Sequence, residues 1–346
     1  MTIEEIAKQA NVSKATVSMV VNGKKGVGIE TRQRVQQIIA ASGYNVRSRR
    51  KGRLQQGNIR FVKYKKQGSL VERNGDFISR VLDGVESGAR NEKMNLKITN
   101  VTSENLKEQI EAINLENDDG IIFLGTEFLA ADAEILNRFQ APVVVVDNEM
   151  RNCNVNSVVM NNEEAVYMAV KYLYGMGHRR IGYIYGGDLT DNFISRTWGY
   201  KKAMEVLGLK PKAADIYLTV PEINESYTIL LDKFKTAKSF PTAFFAGNDV
   251  LAISCLRALQ ECGIRVPQDV SVIGMDDLMM SAVSSPELTT MKIHKKAMGE
   301  LSVSRLVEII KHGNKDIVKH LVSADIVERK SVQNLAEEDM EYEKAD

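Results

Sequence analysis

Along residues 1–45, apolar positions recur at helical spacing in three short runs. Thr2 followed by Glu5 predicts a capping box, and Ile3, Ile6, Ala7 and Ala10 form the stripe of a first helix. Asn11-Val12 predicts a tight turn. Ser13 then caps a second helix that turns Val17, Val20 and Val21 inward and stops at Asn22-Gly23. After KKGVGIE, Thr31 is expected to open a third helix, with Val35, Ile38 and Ile39 inward, that ends near Ser42-Gly43. Two helices joined by a turn of three or four residues, with a third as buttress, is the helix-turn-helix pattern. From residue 58 the pattern changes. Apolar strands at 120–125, 142–147, 180–186, 242–247 and 270–275 alternate with amphipathic helices such as 163–176, 198–207 and 249–261. Continuous β-branched and aromatic strands between helices predict parallel sheets covered on both faces. About 270 residues of this is more than one such sheet needs, so two lobes are expected.

The charge distribution adds a functional hint. The net charge of the 346-residue chain is +1, yet residues 1–60 hold twelve Lys/Arg against three Asp/Glu, leaving 34 basic and 42 acidic residues for the rest. No acidic residue occurs between Asn45 and Val71. A basic front end on an acidic body suits a polyanion-binding module joined to something else, although a solvated basic linker would look the same. At 44% hydrophobic and 26% charged the chain is globular, with no apolar run near the roughly 20 residues a membrane helix needs. MTIEEIAKQA does not read as a signal peptide. Three cysteines, Cys153, Cys255 and Cys262, argue against a disulfide framework and for a reducing cytoplasm. The four histidines show no metal spacing. YGGDLTDN is neither a GxGxxG fingerprint nor a P-loop, and no nucleophile–base set stands out, so no cofactor, no metal and no enzyme activity are expected.

These segments together resemble the lactose-repressor (LacI/GalR) family of bacterial transcription regulators. The residues that carry the resemblance are IEEIAKQANVSKATVSMVVNG (3–23), TRQRVQQIIAASGYN (31–45), KYLYGMGHRRIGYIYG (171–186), ISRTWGYKKAM (194–204), FFAGNDVLAISCLRALQECGIRVPQDVSVIGMDD (244–277) and LTTMK (288–292). They span nearly the whole chain in one order. The resemblance implies a homodimer that reads a near-palindromic operator, with a two-lobed α/β core like periplasmic sugar-binding proteins around a small effector. It implies a helix-turn-helix domain at 1–45, a basic hinge at 46–57 and a core at 58–330. Within the core the N-lobe is about 58–160 and 292–321, and the C-lobe about 161–291 and 322–330. An acidic tail, 331–346, is expected to be disordered; it lacks the leucine heptad of a tetramer.

Carried over from the family, Lys14, Ala15, Thr16, Ser18, Met19 and Asn22 face DNA, with Thr31 and the hinge residues Arg47, Arg49, Arg50, Arg53 and Leu54. Methionine at 19, where the family often has arginine, cannot pair with guanine but can pack on a thymine methyl, which implies an altered half-site. In the hinge, Arg53 stands at the family's wedging leucine and Leu54 is one residue late. Either Leu54 wedges after a one-residue shift, or the hinge grips the minor groove by charge.

At the sensing end, Asp147, Arg196, Asn248 and Asp276 fall at strand ends or in the loops behind them. Each matches a position where the family contacts effector. Carboxylates with an arginine and an amide supply the donors and acceptors that vicinal hydroxyls need, which points to a sugar or nucleoside-like ligand. Asn248 could equally cap the helix that follows. Phe77 matches a ring-stacking position, while KYKKQGSLVERNG before it departs from the family's apolar strand and short loop. Trp198, on a helix reading TWGYKKAMEVL, is expected in the core. His178 is expected to hold the turn before a strand, and Cys255 and Cys262 to be buried. Three rival readings remain: a partner protein in place of the small molecule, a sugar or nucleotide enzyme on a related fold, and a transport binding protein, which would need a secretion signal and have no use for residues 1–45.

Overall fold

The structure, a computed structural model, describes residues 2–21, 26–41, 57–66, 71, 74–187, 190–313 and 316–336. Three helices open the chain. In α1 (Ile3–Ala10) the Thr2 hydroxyl accepts from the Glu5 N–H and the Glu5 carboxylate accepts from the Thr2 N–H, the expected capping box. Asn11 ends the helix in the left-handed conformation, φ 51°. Ser13 starts α2 (Lys14–Val21) by accepting the Thr16 N–H at 3.0 Å. The third helix, α3 (Ile29–Ala41), begins two residues before Thr31, because the Gly28 carbonyl already accepts from the Arg32 N–H. Ile6, Ala7, Ala10, Val17, Val20 and Val35 close a small core, with Ile3, Val21, Ile38 and Ile39 around its rim.

Behind them lie two six-stranded sheets. One orders its strands β11-β5-β4-β3-β1-β2, with β1 (Asn58–Lys65), β2 (Asn95–Thr102), β3 (Gly120–Leu124), β4 (Val143–Val146), β5 (Asn156–Met160) and β11 (Lys319–Val322). All its pairs are parallel. The other orders β12-β10-β9-β8-β6-β7, with β6 (Ile181–Tyr185), β7 (Ile216–Leu218), β8 (Ala243–Ala246), β9 (Ser271–Asp276), β10 (Thr289–Ile293) and β12 (Ala324–Val327). Only β10 and β12 pair antiparallel there. The chain passes between sheets after β5, after β10 and after β11, so each lobe is assembled from separated stretches.

The start of KYKKQGSLVERNG, read as a departure from the family's apolar strand, forms the end of β1. Lys63 and Lys65 lie at its flanks while Tyr64 is buried against Phe123 and Phe128. Inside the same strand Arg60 donates to Asp118 at 2.6 Å, so a charge sits in a strand that composition alone would demote.

Helix α7 (Asp191–Val206) starts seven residues before the stretch predicted at 198–207, capped by Thr190. That corrects the reading of Trp198. The inward stripe runs through Phe193, Arg196, Tyr200, Ala203 and Met204, which leaves Trp198 on the other face, 63% exposed. Cys255 is buried and Cys262 half-buried. Of the tail expected to be disordered, 337–346 lie outside the described residues, and 331–336 depart from that expectation. Ser331 accepts from the Thr289 N–H and donates to the Val272 carbonyl, and Leu335 N–H donates to the Met176 carbonyl, so residues 331–336 are packed. His178 joins this arrangement: its ring lies 3.1 Å from the Thr242 hydroxyl and 3.2 Å from the Gln333 carbonyl, tying turn to tail.

In the first lobe, α4 (Gly75–Asn91) lies directly on α10 (Lys295–His312). A Cβ on Gly84 would sit 2.0 Å from the Lys296 carbonyl oxygen, and one on Gly299 would sit 2.2 Å from that of Val81. The helix backbones touch, so one methyl must push them apart. Gly84→Ala is expected to cost about 1–3 kcal/mol, read as a lowered urea midpoint at unchanged slope. An unchanged midpoint would show that the contact is looser than drawn.

Candidate functional site

Strand C-termini of both sheets converge on one cleft with an empty volume of about 500 Å³, its open mouth included. From the first lobe come Thr126 beyond β3, Asp147 at the end of β4 and Phe77 in the first turn of α4. From the second come Asn192, Phe193 and Arg196 on α7, Asn248 beyond β8 and Asp276 at the end of β9. The five residues expected to meet an effector thus line one cavity. Asp147 (φ 66°) and Asp276 (φ 121°) both hold backbone that non-glycine residues rarely adopt. Strain of this kind costs about 1–3 kcal/mol each and persists where the surroundings impose it.

Arg196 is the hub, 4% exposed. Its Nε donates to Asn162 Oδ1 at 2.9 Å, one terminal nitrogen donates to the Gly247 carbonyl at 2.5 Å, and the other lies 3.3 Å from Asp276 Oδ1 and 3.1 Å from Met160 Sδ. Asn162 passes the connection on. Its amide donates to Asn192 Oδ1, and Asn192 in turn donates to both the carbonyl and the carboxylate of Asp147 at 3.1 Å. Thr126 completes the chain by donating to Asp147 Oδ2 at 2.6 Å. Because Asn192 and Asp147 belong to different lobes, this line of amides spans the cleft.

Burial pushes the Asp147 carboxyl up to about 7, against the lowering influence of the Thr126 hydroxyl and Arg196. Burial also raises Asp276, which Arg196 and Lys295 partly offset. A third buried carboxylate, Asp249, is raised to about 6, first by burial and then by the Asp276 charge. It accepts from Ser281, Thr290 and the Leu278 N–H, so its oxygens are spent on holding the loop after β9. Asn248 does what its position allowed for. It caps α9 (Asp249–Glu261) by accepting the Leu251 N–H, and it also lines the cleft.

Acceptor-rich walls between the rings of Phe77 and Phe193 suit a ligand that brings hydroxyl hydrogens and a flat apolar face. Sequence reading missed Thr126, Asn162, Asn192 and Phe193. Asn162 follows β5, a five-residue strand that the hydrophobic pattern did not single out, and Asn192 and Phe193 lie in the turns of α7 that precede the recognised stretch. Among the described residues no group of three His, Cys, Asp or Glu could hold a metal ion.

On the three-helix module, Lys14 and Ala15 are exposed at the start of α2, and Thr16, Ser18 and Met19 are half-buried. Lys14 pairs with Glu4 at 2.5 Å on the surface, and the Thr16 hydroxyl is shared with Ser13 at 2.8 Å. A Cβ on Gly26 would lie 3.1 Å from the Met19 methyl, so that side chain leans on the loop. Thr31 sits half-buried in α3. Asn22, Arg47, Arg49, Arg50, Arg53 and Leu54 lie outside the described residues.

Comparison with known proteins bears on both parts. Residues 2–46 match the family described as bacterial regulatory proteins, lacI family, and residues 170–332 match the periplasmic binding protein-like domain. The ribose operon repressor of Haemophilus influenzae is 30% identical over 344 residues, which cover 96% of this chain and 99% of that one. Among solved structures, a complex of the transcriptional regulator CelR with cellobiose (22% identity) and the Lac repressor dimer bound to operator and the anti-inducer ONPF (23%) each superpose with TM-score 0.71. Each covers 96% of this chain and 99% of its own.

Proposed function

The chain belongs to the lacI family of bacterial regulatory proteins, and from that premise we propose that it represses transcription as a cytoplasmic homodimer on a near-palindromic operator, released or recruited by a small polyhydroxylated effector. It is a regulator rather than an enzyme. The single observation that carries the effector reading is the cleft itself. Asp147 and Asp276, 1% and 2% exposed, approach from opposite lobes on strained backbone, joined through Arg196, Asn162 and Asn192. Asp147, Asn248 and Asp276 accept hydroxyl hydrogens, Arg196 holds Asp276 in place, and Phe77 stacks against the ligand's apolar face. The cellobiose held by CelR supports a sugar-like occupant.

On the DNA side, α2 enters the major groove. Lys14, Ala15, Thr16, Ser18, Met19 and Asn22 reach base edges or phosphates, and Thr31 reaches the backbone. The basic run from Arg47 through Arg53 crosses the minor groove at the operator centre. By linkage, effector and operator alter each other's affinity by one common factor.

The test is an in vitro selection from random duplex DNA at near-physiological salt, followed by effector titration on the enriched duplex. An inverted repeat, with release or tightening by a neutral sugar or nucleoside, is the expected result. Enrichment without a motif, salt-sensitive throughout, would reduce the DNA contact to nonspecific phosphate binding. Release only by a protein fraction would put a partner in place of the small molecule.

A further inference from the structure

Lys295 is the first residue of α10, in a helix turn that holds no acidic side chain. A cation is disfavoured there by the helix dipole and again by burial, and Lys295 is only 7% exposed. Its surroundings supply the reason. The ammonium donates to the carbonyls of Asp276 and Asp277, the latter at 3.2 Å, and lies 5.8 Å from the centre of the Phe77 ring. Asp276 and Asp277 are consecutive left-handed residues, φ 121° and 50°. Asp277 is further held by Arg329 at 2.7 Å.

The helix that carries Lys295 packs in the first lobe, directly after the passage from β10, while the turn it grips belongs to the second. We propose that Lys295 is the positioning residue of the cleft: its ammonium holds the strained Asp276–Asp277 turn to the head of α10 and so fixes where the Asp276 carboxylate faces the effector. The residue acts through Asp276 and through the backbone, behind the wall of the cavity. This rests on the reading of the cleft as the effector site, but its test needs no effector, so the two can fail separately.

The charged groups facing Asp276 are Arg196 on α7, Lys295 on α10, Asp147 beyond β4 and Asp249 on α9, with Asp277 and its partner Arg329 beside it. Burial holds the Asp276 carboxyl above its usual range, so ionising it costs more in the fold than in the unfolded chain, and stability falls as pH climbs through that interval. Removing the ammonium extends the fall to higher pH.

Full-length Lys295→Met and Lys295→Arg chains are unfolded thermally beside the wild type from about pH 5 to about pH 8. The gap in Tm between wild type and Lys295→Met is expected to widen by about 3 °C or more as pH rises, while Lys295→Arg keeps the wild-type slope. A gap constant with pH, or one that widens equally for Lys295→Arg, overturns the proposal. If Lys295→Met does not fold, a folded Lys295→Arg with the wild-type slope sustains it. Failure of both to fold makes Lys295 a packing residue and overturns it.

Discussion

Arg196→Ala is expected to destabilise the second lobe by about 3–5 kcal/mol, the cost of leaving a buried charge without its partner. The guanidinium of Arg196, 4% exposed, satisfies Asn162, the Gly247 carbonyl and Asp276 at once. Its loss also removes the main charge that opposes the rise of Asp276, and weakens the same restraint on Asp147. Both carboxyls are then pushed further up, so the deficit relative to wild type grows as pH rises through the interval in which they ionise. Arg196→Lys keeps the charge but not the planar fork, and recovers only part of the loss. Urea unfolding followed by far-UV circular dichroism measures this. A cost under about 1 kcal/mol would mean that solvent already shares the site.

Val17→Asp is expected to lower affinity for the selected operator by about a thousandfold or more, down to the nonspecific level. Val17 is fully buried among Ile6, Ala7, Ala10, Val20 and Val35, a core of six small or medium side chains. A module of this size has little stability to lose, and an unpaired buried carboxylate costs more than that margin. Fluorescence anisotropy with a labelled duplex from the selection measures the effect. The thermal transition of the two-lobed core should stay within about a degree or two, since Val17 touches none of it. Binding within about tenfold of wild type would show that sequence reading does not reside in the three helices.

Much of this molecule is local and therefore legible in the chain. The capping box at Thr2 and Glu5, the cap at Ser13 and the inward Val17, Val20 and Val35 depend on contacts a few residues apart. The five apolar strands announce themselves because parallel strands covered on both faces need unbroken apolar runs. What stayed hidden falls into two kinds. Strands that carry polar residues, such as β2 with its exposed Ile98 and β1 with its buried Arg60, carry no clean period. The start of α7 was the other, since the stretch predicted at 198–207 leaves out the turns from Asp191 that carry Phe193 and Arg196 inward.

The cleft divides along the same line. Asp147, Arg196, Asn248, Phe77 and Asp276 were marked by strand-end position and by a family pattern, because ligands of parallel α/β folds gather where strand C-termini open. Thr126, Asn162, Asn192, Phe193 and Lys295 were decided only in three dimensions. Their partners across the cleft and at the head of α10 lie 18 to 45 residues away along the chain. The sequence by itself determined a DNA-reading module ahead of a two-lobed α/β core, because helix caps, periodicity and strand composition act over a few residues. The tertiary structure alone decided that an amide chain spans the lobes, and that a lysine at a helix head holds a strained carboxylate in place. Those depend on burial and on which lobe each stretch rejoins after the chain has crossed, neither of which a linear pattern contains.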